Sequence, residues 1–204
     1  KGYCQMNAMN EPVAKAETIE FKLNGETVSA LAGETIIQAA KRHGVEIPHL
    51  CYKEGLRPDG NCRACMVEIK GERVLAPSCC RAPARGMEVE SNSPRAVHSQ
   101  KMVVELLMAD VPKQDLKPGA NELFHWAGEL GVTHPRFAAR GQPAADASHP
   151  AMDVNLDACI QCTRCVRACR EEQVNDVIGY AFRGPSSKIV FDFDDPMGES
   201  TCVA

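Results

Sequence analysis

Eleven cysteines in 204 residues are the side chains with the greatest chemical potential in this chain. They fall in two groups, one between residues 51 and 80 and one between residues 159 and 202, and only Cys4 lies outside both. The odd count and the absence of an apolar signal core at Lys1–Gln5 argue against a secreted disulfide scaffold. Reduced cysteines grouped this tightly are typical of metal sites, and we expect a cytoplasmic protein.

The first group has the spacing of a four-thiolate metal site. Two-iron clusters take two protein sulfurs on each iron, and four cysteines complete that shell. Gly55 and Gly60 permit backbone amides to approach the cluster sulfurs. Zinc is the alternative, but zinc ribbons usually present two Cys-x2-Cys pairs, whereas this group has one pair and two separate cysteines. The order of the four is Cys51-x10-Cys62-x2-Cys65-x13-Cys79.

The second group, Cys159-x2-Cys162-x2-Cys165-x3-Cys169, has a spacing typical of [4Fe–4S] sites. The first three cysteines are predicted to bind one cluster, while Cys169 begins a helix and binds a second cluster. Two such clusters need eight cysteines, and this part of the chain holds five, including Cys202. The ending Thr201-Cys202-Val203-Ala204 is typical of the opening of a further Cys-x2-Cys motif. We therefore expect both clusters to take ligands beyond residue 204, in a longer polypeptide.

Three arginines, Arg164, Arg167 and Arg170, are interleaved with these cysteines. Their cations either offset the negative charge of a cluster or of a partner's acidic residues, or they form a solvated helix face. The sequence leaves these two interpretations open.

Hydrophobic periodicity predicts the elements that position the first group. Residues 19–23 alternate apolar and polar side chains as a half-buried strand does, and Asn24-Gly25 predicts a hairpin turn into a second strand at 28–30. Thr35 and Gln38 form a capping box for a helix that runs to His43, where Gly44 ends it. Further strands at 67–69 and 87–89 complete a small sheet of ββαβ type over one helix.

The region between the two groups is predicted to be helical and then irregular. Ser93-Pro94 begins a helix that extends to about residue 110, and a second helix fits residues 120–130. Residues 134–152 are rich in Pro, Ala, Gly and His and form a linker. After the second group, the alternation of residues 189–194 predicts another strand.

Composition and motifs exclude several classes of function. The net charge of −4 argues against a nucleic-acid partner, and no apolar run reaches the roughly 18 residues of a membrane span. The chain has no Ser/His/Asp set, Walker loop or Rossmann fingerprint, and Gly33-Glu34-Thr35 lacks the required glycine spacing. We therefore predict no residue of this chain to be catalytic on a substrate.

Three segments carry a resemblance to a known family. They are Pro48-His49-Leu50-Cys51-Tyr52, the stretch from Gly60 to Glu68, and Pro77-Ser78-Cys79. They resemble the N-terminal [2Fe–2S] domain of iron–sulfur subunits of NADH:quinone oxidoreductase, [FeFe]-hydrogenases and NAD-linked formate dehydrogenases. The resemblance implies a β-grasp ferredoxin fold for residues 18–93 and assigns Cys79, not Cys80, as the fourth ligand.

Many members of this family carry a third site, His-x3-Cys-x2-Cys-x5-Cys, between the two domains. The corresponding region here, 94–152, contains histidines but no cysteine, so that cluster cannot form. We interpret the four histidines as surface or packing residues, which leaves open how electrons cross between the domains. They are His98, His125, His134 and His149.

The presence of Cys169 and Cys202, with residues 178–184 and 191–193 between them, is most similar to the α subunit of a molybdenum- or tungsten-dependent, NAD-linked formate dehydrogenase. The similarity implies an α+β chain: a leader at 1–17, the β-grasp domain at 18–93, a connector at 94–152, and a two-[4Fe–4S] ferredoxin-like module cut off at its C-terminus at 153–204.

The same similarity implies a function and partners. The chain would relay electrons from a Mo or W bis-pterin centre, on the rest of its own polypeptide, to a diaphorase subunit that holds FMN and NAD. The alternatives are the N-terminal region of an [FeFe]-hydrogenase or of an NADH:quinone oxidoreductase iron–sulfur subunit, and a zinc-stapled binding module with no redox role.

Overall fold

A computed structural model describes residues 18–111 and 121–202. A five-stranded sheet with one helix forms the first part, and a smaller cysteine-rich part contains a two-stranded sheet. The predicted leader at 1–17, with Cys4, lies outside the described residues. Within the two described ranges, no helix combines the length and apolar character that crossing a membrane requires.

The first two strands form the hairpin that the sequence predicts. Strand β1 (Thr18–Leu23) pairs antiparallel with β2 (Glu26–Leu31). Asn24 and Gly25 have φ angles of 51° and 87°, the two positive values that a tight type I′ turn needs. Alternation along β1 buries Phe21 and Leu23 in the core.

The sheet has the order β2-β1-β5-β3-β4, and it includes β3 (Met66–Ile69), β4 (Ala76–Pro77) and β5 (Glu88–Glu90). Strand β5 runs parallel to β1 and antiparallel to β3. This mixed order, with a helix over the sheet, is the β-grasp arrangement that the resemblance implies. The sequence did not predict β4, because two residues are too short to show a period.

Helix α1 (Ile36–Arg42) lies over the sheet and has the predicted ends. The Gln38 side chain accepts a hydrogen bond of 2.9 Å from the Thr35 backbone amide. Gly44 adopts a φ of 74°, and the amide of Val45 then bonds back to Ala40 at 2.9 Å. These bonds satisfy helix-end groups that would otherwise lack partners.

Two further helices form a second core with the first cysteine loop. Ser93 caps α2 (Pro94–Asp110) by accepting a 3.1 Å bond from Ala96, and Asn121 caps α3 (Glu122–Glu129). The second helix is thus shorter than the predicted 120–130. The core that these helices build extends to the loop through Leu50, Ala64, Val104, Leu123 and Trp126.

The predicted linker, residues 134–152, contacts helix α2. Its only ladder contact within the described residues is a bridge between Asp146 and Val154. Arg136 forms a salt bridge of 2.6 Å with Glu105, and its hydrogen bonds lower the pKa of that carboxyl to about 2. The Arg140 amide bonds to the Ala109 carbonyl at 3.1 Å.

The last part contains the short helix α4 (Arg164–Arg167), which continues as a wider π-type turn over Ala168–Glu172. The expectation that Cys169 begins a helix is therefore wrong. Thr163, the residue directly before the helix, has a left-handed φ of 61°. Cys169 lies inside the wider turn and is buried.

Strands β6 (Ile178–Ala181) and β7 (Lys188–Phe191) form an antiparallel pair. The predicted strand ends earlier than residue 194, because Asp192 and Asp194 have positive φ angles that turn the backbone. Ile189 and Val190 are both buried, and Phe193 is 97% exposed, so the predicted alternation does not hold here.

Gln100 offers a test of how α2 is attached to the sheet. Its side chain is 1% exposed and donates to the carbonyls of Met66 at 2.9 Å and Ser91 at 3.1 Å. Gln100→Leu leaves both carbonyls without this partner, so we expect the free energy of unfolding to fall by about 1–3 kcal/mol. Urea denaturation against exposed Lys101→Gln measures this, and equal stability of the two variants would contradict it.

Candidate iron–sulfur centres

The sheet brings the cysteines of the first group together. Strand β3 begins directly after Cys65, β4 ends two residues before Cys79, and the two strands pair. The Ser78 amide therefore bonds to the Cys65 carbonyl at 3.0 Å. Cys51 and Cys62 lie on the loop between α1 and β3. Three of these thiols are buried and that of Cys62 is half-buried.

Hydrogen bonds connect the four thiols into one set. The Cys51 amide donates to the Cys62 sulfur at 3.3 Å, and the Cys62 amide donates to the Cys51 sulfur at 3.5 Å. The Cys62 and Cys79 thiols lower the pKa of Cys51, and Cys79 lowers the pKa of Cys65 to about 7. The same contacts raise the pKa of the two donors, Cys62 and Cys79. All four predicted ligands therefore share one buried site.

The donor set fits a two-iron cluster. A zinc site needs four ligands around one ion, whereas a two-iron cluster takes two thiolates at each of two irons. The Ser78 hydroxyl is fully buried and has no hydrogen-bond partner in the described structure. A cluster sulfur would provide the acceptor that this hydroxyl lacks.

Burial favours Cys79 over its neighbour as the fourth ligand, as the resemblance implies. Cys79 is fully buried, while Cys80 is exposed, and their sulfurs are 3.6 Å apart. A Cβ atom on Gly60 would lie 3.0 Å from the Cys80 sulfur, and Gly60 has a φ of +62°. A side chain at this position would strain the backbone and require the Cys80 sulfur to move.

The second group forms a tight loop before α4. Gln161 and Thr163 have φ angles of 55° and 61°, which wrap the backbone around the predicted site. Desolvation raises the pKa of half-buried Cys159 and of Cys165, although the residue surface of Cys165 is exposed, and the charge of Cys162 acts on both in the same direction. These three predicted ligands are therefore close enough for the charge of one thiolate to affect the pKa of its neighbours.

The other two predicted ligands lie apart from this loop. Cys169 is buried on the π-type turn, and its carbonyl accepts a bond of 3.1 Å from Asn175. Cys202 is half-buried, and its amide donates to Ser200 at 3.1 Å. Their assignment to a second cluster stays a prediction.

The two cysteine loops contact each other directly, a feature that the sequence did not reveal. The Asn61 side chain donates to the Gln161 carbonyl at 2.9 Å, and the Thr163 hydroxyl donates to Asp59 at 3.2 Å. Asn61 precedes Cys62, and Gln161 precedes Cys162. The contacts join residues about a hundred positions apart, and no local pattern indicates them.

Two arginines of α4 extend this contact. Arg164 donates to the Tyr52 carbonyl at 2.8 Å and pairs with Glu122 at 2.6 Å. Arg167 is buried and donates to the backbone of the first loop. Arg170 is exposed and pairs with Asp176. Of the two interpretations that the sequence left open, a solvated face thus describes Arg170 but not Arg167.

The four histidines of the connector are spread over its surface. His98, His125 and His134 are exposed, and His149 is half-buried. Their positions agree with the interpretation as surface residues.

Comparison with known proteins identifies the first domain. Residues 16–94 match the family described as a 2Fe-2S iron-sulfur cluster binding domain. The chain is 32% identical over 199 residues to NADP-reducing hydrogenase subunit HndD of Solidesulfovibrio fructosivorans, covering 91% of this chain and 33% of that protein. It is 36% identical over 160 residues to a subunit of the NADH-quinone oxidoreductase of Rhizobium meliloti, covering 75% of this chain and 19% of that protein.

A solved structure shows a similar fold over most of the chain. It is the crystal structure of an NAD+-reducing [NiFe]-hydrogenase in the H2-reduced state, with a TM-score of 0.80 and 28% sequence identity. The match covers 91% of this chain and 80% of that one. The chain spans only a fifth to a third of the length of the two curated relatives.

These comparisons confirm the prediction of a [2Fe–2S] domain of mixed α/β structure. They also show that the chain is homologous to parts of oxidoreductase subunits, from NADH-quinone oxidoreductase and from NAD(P)-reducing hydrogenases, which supports iron–sulfur electron transfer. The second module and its [4Fe–4S] clusters stay a prediction.

Substitution of the adjacent cysteines tests the ligand assignment. We expect Cys79→Ser to abolish the [2Fe–2S] signal in electron paramagnetic resonance (EPR) spectra of the dithionite-reduced protein, because it removes a buried thiolate of the set. The matched control Cys80→Ser should keep the signal, because that side chain is exposed. A protein that keeps the signal without Cys79 and loses it without Cys80 would reverse the assignment.

Proposed function

We propose that this chain is an intramolecular electron relay of an NAD-linked formate dehydrogenase, which interconverts formate and NAD with CO2 and NADH. The observation that carries the relay is the direct contact between two cysteine loops whose spacings suit iron–sulfur clusters. The segment itself supplies electron transfer, and the substrate site belongs to another part of the enzyme.

The residues of the first site would bind the cluster and exclude water from it. Iron–sulfur clusters, when bound, accept and release single electrons. Cys51, Cys65 and Cys79 are each at most 1% exposed, which keeps solvent from the sulfurs. The amides of Cys51 and Cys62 donate to cysteine sulfurs, and the Ser78 hydroxyl would be free to donate to a bound cluster. Such donors favour the more negative, reduced state.

Electrons are proposed to cross directly between the two loops. The bond from Asn61 to Gln161 lies one residue from Cys62 on one side and one residue from Cys162 on the other. The connector contributes no cysteine, and this contact makes an intermediate site unnecessary. The contact supports a direct route in a chain that lacks the His-x3-Cys-x2-Cys-x5-Cys site.

The finer assignment to formate oxidation rests on the second cysteine group. Cys159, Cys162 and Cys165 would hold one [4Fe–4S] cluster, and Cys169 and Cys202 would contribute to a second. Both clusters would be completed by ligands beyond residue 204. A Mo or W bis-pterin centre would then lie on the rest of the polypeptide, and FMN and NAD would lie on a diaphorase partner.

A second candidate function is electron transfer in an [FeFe]-hydrogenase or an NADH:quinone oxidoreductase subunit. The names of the relatives favour it at least as well, since they are a hydrogenase subunit and a quinone oxidoreductase subunit. The third possibility, a zinc-stapled module, predicts a colourless protein with stoichiometric zinc.

The substrate of the holoenzyme distinguishes these candidates. We expect anaerobic addition of formate, without NAD, to bleach the visible iron–sulfur absorption, and metal analysis to find molybdenum or tungsten. Hydrogen gas added to a second sample is the control. Bleaching by hydrogen but not by formate, with iron as the only metal, would establish the hydrogenase alternative.

The order of the relay is tested at Cys162. We expect Cys162→Ser to lose the [4Fe–4S] signal of its loop while it keeps the [2Fe–2S] signal after dithionite reduction, because the four ligands of the first site are untouched. Formate should no longer reduce the [2Fe–2S] cluster of this variant within one turnover, as followed by freeze-quench EPR. Reduction as fast as in the unchanged enzyme would show that electrons reach the first site by another route.

A further inference from the structure

A buried cation lies between the two cysteine loops. Arg167 stands two residues after Cys165 on α4, and it is only 5% exposed. Its guanidinium reaches across to the first domain, where it donates to the Arg57 carbonyl at 2.6 Å and to the Cys51 carbonyl. The backbone of Arg167 therefore lies two residues from a predicted ligand of the second site, and its guanidinium contacts the backbone of a predicted ligand of the first.

The positive charge of Arg167 has no carboxylate partner in the described structure. None of the ion pairs among residues 18–111 and 121–202 includes Arg167. Both hydrogen-bond partners of its terminal nitrogens are neutral carbonyls, and its buried Nε atom has no partner. Burying a cation without a compensating anion costs free energy, so a negative charge nearby would stabilise the protein at this position.

The two neighbouring arginines each have a carboxylate partner, although the buried Nε atom of Arg164 also has no hydrogen-bond partner. Arg164 is paired with Glu122 at 2.6 Å, and Arg170 is paired with Asp176 at 2.9 Å. The side chain of Arg170 is 59% exposed, so water screens its charge. Among the three arginines of this segment, the buried and uncompensated charge belongs to Arg167.

We propose that Arg167 is the charge-compensating residue shared by the two iron–sulfur sites and that it raises the reduction potential of both. The proposal rests on the iron–sulfur function proposed above. A thiolate-held cluster is negatively charged, and it gains one electron and one further negative charge on reduction. Arginine stays protonated throughout, so no proton moves, and its cation stabilises the reduced form of each cluster.

The geometry explains why the effect should reach both sites. The carbonyl of Cys51 accepts from Arg167, while the sulfur of the same residue belongs to the first thiol set. On the other side, α4 holds Arg167 less than one helical turn from Cys165. Because Arg167 is only 5% exposed, water screens its charge less than it screens a surface cation.

A redox titration of the holoprotein tests the proposal. Anaerobic protein with its clusters in place is reduced stepwise with dithionite and mediators, and EPR follows each cluster. We expect Arg167→Met to move the midpoint potentials of the [2Fe–2S] cluster and of the adjacent [4Fe–4S] cluster to more negative values. Arg167→Lys keeps the charge and should restore most of the shift. The matched control, Arg170→Met, should leave both potentials unchanged.

A merely structural role for Arg167 predicts a different pattern. Lysine cannot reproduce the two-point contact with Arg57 and Cys51, so Arg167→Lys would then shift the potentials as much as Arg167→Met does. That result would overturn the proposal, as would unchanged potentials in Arg167→Met. If Arg167→Met fails to assemble its clusters, Arg167→Gln replaces it as the neutral variant. Unsubstituted protein that binds no iron would refute the proposed function itself, which separates the two failures.

Discussion

Cys51 is the residue on which the rest of the arrangement depends. Its sulfur belongs to the first thiol set, and its carbonyl accepts a hydrogen bond from Arg167 of the second module. Both groups are attached to the same α-carbon of a residue that is 1% exposed, so a displacement of that residue moves both. The geometry of the first site and the attachment of the second module are therefore coupled through one residue of the chain.

Local chemistry explains what the sequence could predict. The Asn24-Gly25 turn and the ends of α1 are determined by residues within a few positions of each other, and both have the predicted form. That the four cysteines of the first group lie together was also predictable, because a two-iron cluster needs four thiolates and limits their spacing. Choosing Cys79 over Cys80 needed the resemblance, and burial supplies the physical reason.

Long-range contacts explain what the sequence could not predict. Arg167 and Cys51 are 116 positions apart, and nothing in the neighbourhood of either residue indicates the other. Conversely, the strand through Phe193 was predicted from alternation alone. Positive φ angles at Asp192 and Asp194 end it early, and the consecutive buried residues Ile189 and Val190 show that β7 is covered on both faces. Periodicity fails where a strand has no solvent-facing side.

The connector contacts both cysteine loops. Leu123 and Trp126 of α3 pack in one core with Leu50, the residue before the first ligand, and Ile160 of the second loop packs against the same core. From the same helix, Glu122 binds Arg164 of α4. A segment without cysteines thus contacts both sites and holds them against each other. In the proposed relay, the connector would fix the distance between the two loops without carrying an electron itself.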